Sequence, residues 1–129
     1  AILQATGLGE IIGDSFSEFN LGLLLPFIIA ATLKYAQGSS TVSIITTAAI
    51  MAPILEPFGL ASAMGRALTV LSIGAGAMTV SHLNDSFFWV VAQFSRMNTT
   101  TALKSQTLST LIQGFTGVII VLIIGLIFL

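Results

Sequence analysis

The sequence has no cysteine and very few charges. Its 129 residues include four Lys or Arg and five Asp or Glu, so that 7% are charged while 55% are hydrophobic. Without cysteine, disulfides and thiolate-bound metals are excluded. A soluble domain carries roughly a quarter of its residues as charged side chains, and this chain lacks the polar surface that water requires. The composition therefore predicts an integral membrane protein.

An excess of basic residues is also missing. The net charge at pH 7 is −1, which excludes the clustered Lys and Arg that neutralise phosphates, so we expect no nucleic-acid partner. The chain begins Ala1-Ile2-Leu3, without Met and without a recognisable signal peptide. This start predicts a fragment that works together with the remaining N-terminal part of a longer protein. A split subunit is the alternative.

Apolar runs divide the chain into helical segments. The predicted segments are a helix end and connection at 1–20, a re-entrant hairpin at 21–55, a broken helix at 66–94 and a final transmembrane helix at 106–129. The two runs of the hairpin span only about 24 Å and 21 Å as helices, short of the ~30 Å hydrocarbon core. Two marginal full spans joined by a tight turn are the alternative. The segment 106–129 has no charge and predicts a complete span.

The broken helix carries polar residues in its interior. As one helix, 66–94 would be about 43 Å long with the cluster 81–86 in its middle third. A break there lets polar groups line a cavity, because irregular backbone at membrane depth needs cover from protein or water. The loop 95–105 carries Arg96 and Lys104 and no acid. The positive-inside rule therefore predicts 95–105 in the cytoplasm and the C-terminus outside.

Asp85 is the acidic residue flanked on both sides by apolar sequence of membrane length. An intramembrane carboxylate usually belongs to a transport pathway or proton relay. His82 lies three residues earlier, would share its face on a helix and titrates near neutral pH. The two residues are therefore candidate proton-coupling groups. The alternatives are that Asp85 caps the helix that resumes at Phe87 and that His82 satisfies local backbone groups.

The tip of the predicted hairpin is the second polar site. Ser39, Ser40 and Thr41 lie at the N-terminus of its second helix, where free N–H groups and the helix dipole attract an anion. Lys34, one turn before the tip, could pair with the same anion; otherwise it snorkels to the interface or pairs with Asp85. The hydroxyls could also serve only as caps and interhelical hydrogen bonds. Discontinuous helices that meet at the bilayer midplane are typical substrate sites of secondary transporters.

Three stretches of the sequence carry a family resemblance. They are LKYAQGSSTVSIITTAAIMAPIL at 33–55, SHLNDSFFW at 81–89 and TALKSQTLSTLI at 101–112, and they resemble the C-terminal part of the gluconate permease family. The resemblance implies a second inverted repeat of an all-α anion-transporter fold, and proton symport of gluconate or a similar small hydroxy-acid anion across a bacterial inner membrane. It implies a non-enzymatic protein without cofactor or metal, and a homodimer as one assembly.

The positions that match the family motifs are Gln37, Gly38, Ser39 and Thr41 at the tip and Ser81, His82, Asn84, Asp85 and Ser86 at the break. With Lys34 and Ser40 added from the residue analysis, the substrate-binding candidates are Lys34, Gln37, Gly38, Ser39, Ser40, Thr41, Ser81, Asn84 and Ser86, and the proton-coupling candidates are Asp85 and His82. The sequence departs from the family pattern at Phe87, where glycine is usual, and at Lys34, where arginine is frequent. A sodium-coupled transporter and a channel or non-transporting subunit are the alternative functions. An intramembrane enzyme finds no nucleophile or metal set to support it.

Overall fold

A computed structural model describes residues 22–129, and the predicted segment 1–20 lies outside the described residues. The described part is helical and contains no strand, which confirms the all-α prediction. Its helices are α1 (Leu24–Gln37), α2 (Ser40–Met51), α3 (Ala63–Ala77), α4 (Ser86–Phe94) and α5 (Thr99–Phe128). A 3₁₀ turn at Ala52–Ile54 follows α2, and α5 contains a π-helical turn at Leu103–Thr107.

Short polar caps separate the helices. Gly38, with φ 69°, ends α1 and donates its N–H to the Lys34 carbonyl at 2.8 Å, the left-handed termination that glycine favours. Ser39 then caps α2 by accepting the Val42 N–H. Ser62 caps α3 in the same way. Two residues between α1 and α2 are therefore enough to reverse the chain.

The helix α3 is the centre of the packing and contacts α1, α2 and α5. Its buried side chains join two apolar clusters with residues of the other helices. Glycines bring the helix axes close: a Cβ at Gly76 would overlap the Phe27 carbonyl of α1. Hydroxyls add interhelical bonds, because Ser43 Oγ donates to the Ala30 carbonyl at 2.6 Å and Ser72 Oγ to the Leu23 carbonyl at 2.5 Å.

Only α5 is long and apolar enough to cross a membrane among the helices at 22–129. It begins at Thr99, upstream of the predicted span 106–129, because Asn98 accepts the Thr101 N–H at 2.8 Å and caps it. The apolar helices α1 and α3 and the stretch Ser40–Ile54 are shorter. Short paired helices agree with the pattern from which the hairpin was predicted, and its re-entrant course stays a prediction.

The broken helix differs in detail from its prediction. α3 ends at Ala77, so the irregular backbone begins at Met78 rather than at 81, and α4 begins at Ser86. Val80 lies within it with φ 50°, a conformation that β-branched residues rarely adopt. The continuous helix that would place His82 and Asp85 on one face is therefore absent here.

Candidate functional site

The hairpin tip and the helix break lie against each other. A Cβ at Gly38 would overlap the backbone oxygen of Asn84, and the Asn84 side-chain amide donates to the Tyr35 carbonyl at 2.7 Å. We name residues 37–41 the tip and residues 78–85 the break. Two segments separated by about 40 residues of chain thus form one local structure, as the sequence predicted from their polar character.

A buried ion pair joins the end of α1, next to the tip, to the break. Lys34 Nζ lies 2.6 Å from Asp85 Oδ2, and the two residues are 2% and 4% exposed. The same Oδ2 accepts from Ser81 Oγ at 2.5 Å, while Oδ1 accepts the Phe87 N–H at 3.0 Å. Lys34 Nζ also donates to the Gly38 carbonyl at 3.4 Å. Both alternatives raised for these residues are realised: Lys34 pairs with Asp85, and Asp85 caps α4.

An open cavity of about 400 Å³ lies beside the ion pair. Its lining residues are Gly38, Ser39, Ser40, Thr41, Met78, Asp85, Ser86 and Phe87. The N-termini of α2 and α4 both border it, so that two sets of free backbone N–H groups and two positive dipole ends meet at one cavity. Such a site suits a small anion, provided that the charge on Asp85 is balanced.

The remaining predicted site residues do not line this cavity. Lys34 and Ser81 are buried behind it and contact Asp85. Asn84 is exposed and holds the end of α1, and Gln37 is exposed at the last position of that helix. The structure therefore separates the predicted set into cavity-lining residues and residues that support the carboxylate.

His82 has its own surroundings. Its ring packs on the Tyr35 ring with centroids 4.8 Å apart, and its carbonyl accepts the Asp85 N–H at 2.9 Å. Its Nε2 atom is buried without a hydrogen-bond partner among residues 22–129. His82 and Asp85 are therefore neighbours in a turn, with side chains that contact different groups.

Two threonines of α5 were not predicted as site residues. Thr107 Oγ1 donates to the Ser81 carbonyl at 2.6 Å, and Thr110 Oγ1 accepts the Ser81 N–H at 3.0 Å. They belong to the run TLST in the part of α5 that follows Lys104 and carries no charge. The hydroxyls themselves were the available signal, since a hydroxyl in an apolar helix needs a partner. No group of three or more His, Asp or Glu that could hold a metal occurs in the part of the chain that the structure describes.

Comparison with protein families decides the relationship. The model of the family "GntP family permease" matches residues 1–127. The chain belongs to the GntP permease family. This confirms the resemblance seen in the sequence, and it places the chain in a family of membrane transporters rather than of enzymes.

Individual GntP relatives match over most of this chain. A "Gluconate permease" of Pseudomonas aeruginosa is 34% identical over 127 residues, 98% of this chain and 28% of the relative. The "Low-affinity gluconate transporter" of Escherichia coli is 30% identical over 120 residues, 92% of this chain and 27% of the relative. The "Inner membrane permease YgbN" of the same species is 34% identical over 120 residues, 92% of this chain and 26% of the relative.

The GntP chain described here spans little more than a quarter of the length of these curated relatives. No solved structure matches it.

Proposed function

We propose that this chain forms the C-terminal part of a proton-coupled transporter for gluconate or a similar small hydroxy-acid anion. The observation that carries the proposal is the buried Lys34–Asp85 pair beside a cavity bordered by two helix N-termini. Family membership supports the class of protein, and the names of two relatives support the substrate.

The substrate carboxylate binds at the tip. Backbone N–H groups and hydroxyls of Ser39, Ser40 and Thr41 border the cavity from α2, and Ser86 borders it from α4. These donors suit both a carboxylate and the hydroxyls of a sugar acid. Gly38 lets the tip pack closely against the break. Gln37 and Asn84 form the outer side of the binding site.

The charge balance of the cavity provides the coupling. Ionised Asp85 repels an anion, but its charge is neutralised by Lys34 while the pair is intact. A proton on Asp85 removes the partner of Lys34 and leaves a buried cation, which costs about 3–5 kcal/mol when unpaired. A substrate carboxylate in the adjacent cavity restores the balance. Proton and anion therefore favour each other's binding, with one proton for each anion.

His82 is the second candidate for the proton. Its buried Nε2 atom has no hydrogen-bond partner among the described residues, and an imidazole nitrogen can both accept and donate a proton. Its stacking on Tyr35 places it at the same junction of tip and break. His82 is therefore the alternative to Asp85 as the group that carries the coupling proton.

The missing N-terminal part supplies the rest of the transporter. We place the chain in a bacterial inner membrane as the second of two inverted repeats, with 21–55 as a re-entrant hairpin and 66–94 as the broken helix. Residues 95–105 face the cytoplasm and the C-terminus lies outside. The repeats move relative to each other to give alternating access, and the full protein forms a homodimer.

Uptake by the full-length protein tests this proposal. Proteoliposomes with an imposed pH gradient and labelled gluconate should show saturable accumulation by the wild type. Asp85→Asn should exchange gluconate but not accumulate it, because the amide cannot release or take up the coupling proton. Glu56→Gln, which changes an exposed carboxylate, should match the wild type.

Three outcomes would contradict the proposal in different ways. Accumulation driven by a sodium gradient at equal pH would replace the proton by sodium. Non-saturable flux without accumulation would indicate a channel. Normal accumulation by Asp85→Asn would reduce Asp85 to a helix cap, and His82→Gln would then test the second candidate.

A further inference from the structure

The final helix holds Ser81 by both of its backbone groups. The N–H donates to Thr110 Oγ1, and the carbonyl accepts from Thr107 Oγ1. Thr110 Oγ1 also donates to the Thr107 carbonyl at 3.1 Å. Ser81 lies in irregular backbone, where no helical partner is available. The two threonine side chains therefore provide partners for backbone groups of Ser81 that would otherwise be buried without a hydrogen bond.

The side chain of Ser81 carries this arrangement to the carboxylate. Its hydroxyl donates to Asp85 Oδ2 at 2.5 Å, and Ser81 is buried. Donation by a hydroxyl stabilises the charged form of a carboxyl group. Because the backbone of Ser81 is fixed by α5, the position of its hydroxyl depends on α5 as well.

The geometry of α5 favours this contact. Its π-helical turn ends at Thr107, and Thr110 follows three residues later on the same face. Further along, a Cβ at Gly114 would overlap Thr79 Oγ1 at the edge of the break. A π-helical turn changes the register of the residues that follow it, and such turns are frequent at functional sites. The helix α5 therefore packs close to the break, and two of its hydroxyls hydrogen-bond to the backbone there.

We propose that Thr107 and Thr110 are positioning residues of the coupling site: they fix Ser81 so that its hydroxyl stays on Asp85, and thereby set the pH at which Asp85 takes up its proton. The inference rests on the proposed function. The charged partner of the Asp85 carboxylate is Lys34 of α1. Neither His82 of the break nor the exposed Lys104 of the π-helical turn bonds to it among the described contacts.

The pH dependence of uptake tests the inference. In proteoliposomes of the full-length protein, Thr107→Val together with Thr110→Val should move the midpoint of the uptake profile to higher pH. Without the two threonine hydroxyls, Ser81 no longer holds its own hydroxyl on Asp85. Ionised Asp85 loses that hydrogen bond, so that protonation occurs in less acidic solution. A shift of about 0.5–1 pH unit corresponds to one hydrogen bond. Thr→Ser at both positions keeps the hydroxyls and should restore the wild-type profile.

Matched variants separate positioning from general packing. Thr116→Val changes an exposed threonine of the same helix and should leave the midpoint unchanged. Ser81→Ala should give a shift of the same sign by itself. In that background the threonine variants should add no further shift, because the hydroxyl that they position is gone. If the double variant does not fold, each single variant should show part of the shift.

The outcomes distinguish this inference from the proposed function. A wild type whose uptake does not depend on pH overturns both. A pH-dependent wild type with an unchanged Thr107→Val/Thr110→Val profile overturns the inference alone. A shift that persists undiminished in the Ser81→Ala background also overturns it, since the threonines would then act by another route.

Discussion

The tip and the break differ in how their backbone polar groups find hydrogen-bond partners. Each interrupts a helix and each contains a residue with positive φ: Gly38 at 69° and Val80 at 50°. The tip needs only two residues and provides its own bonds, with a left-handed glycine and the Ser39 cap. The break takes residues 78–85, and its polar groups depend on the side chains of other helices.

This difference separates two kinds of sensitivity. The tip is capped by its own residues. Changes in its hydroxyls should therefore affect the surrounding helices little and act mainly on ligand binding in the cavity. A break held by Lys34, Thr107 and Thr110 responds to changes elsewhere in the fold. Strained conformations concentrate at functional sites, and the positive φ of Val80 agrees with the role proposed for the break.

The largest effect is expected where the break depends on α1. Lys34→Met leaves Asp85 as a buried carboxylate without its cation and should lower the free energy of unfolding by about 3–5 kcal/mol. Thermal unfolding of the full-length protein in detergent measures this. Adding Asp85→Asn should recover much of the loss, because no unpaired charge remains.

Lys104→Met is the control for that experiment, since Lys104 is exposed; it should change stability by less than about 0.5 kcal/mol. Equal destabilisation in Lys34→Met with and without Asp85→Asn would show that packing of the lysine stem, rather than charge, joins the tip to the break.

An intermediate effect is expected at the tip itself. Gly38→Ala combines a left-handed conformation, which costs about 1–2 kcal/mol in a non-glycine residue, with an overlap on the Asn84 carbonyl. The sum should exceed the cost of Gly59→Ala, where φ is also 69° but the space is open. Gly74→Ala, in open space within α3, should be neutral or stabilising.

Unfolding midpoints of these three glycine variants rank the two contributions. If Gly38→Ala and Gly59→Ala were equally destabilising, the close approach of the tip and the break would contribute nothing to the free energy of unfolding. The tip would then be as independent of the break in packing as it is in capping.

The smallest effect is expected at Val80. Val80→Gly relieves the positive φ but makes the unfolded chain more flexible, so the net result should lie between no change and a gain of about 1 kcal/mol. Val70→Gly, in the exposed face of α3, should cost about 1 kcal/mol. The same unfolding assay measures both variants. A loss of stability in Val80→Gly equal to that in Val70→Gly would argue against backbone strain in the break.

The sequence predicted the places of the tip and the break because polar residues are conspicuous in an apolar chain. It offered the caps at Ser39 and Asp85 and the Lys34–Asp85 pair as alternatives to functional roles, and the structure contains all three. The family resemblance added the assignment to a transporter. Each of these conclusions depends on residue types that have few other uses inside a membrane protein.

Other features leave no such signal. A threonine in an apolar helix looks the same whether it bonds to its own helix, as Thr69 does with Gly65, or to another segment, as Thr107 does. The break begins at Met78, earlier than predicted, and contains Val80 with a positive φ, which nothing in a valine side chain predicts. Partners that come from distant segments require the tertiary structure.

The burial of the Lys34–Asp85 pair has a consequence for the ionic strength of the medium. Exposed ion pairs weaken as salt is added, whereas buried pairs are screened much less. The attachment of the tip to the break should therefore keep its strength across dilute and concentrated solutions.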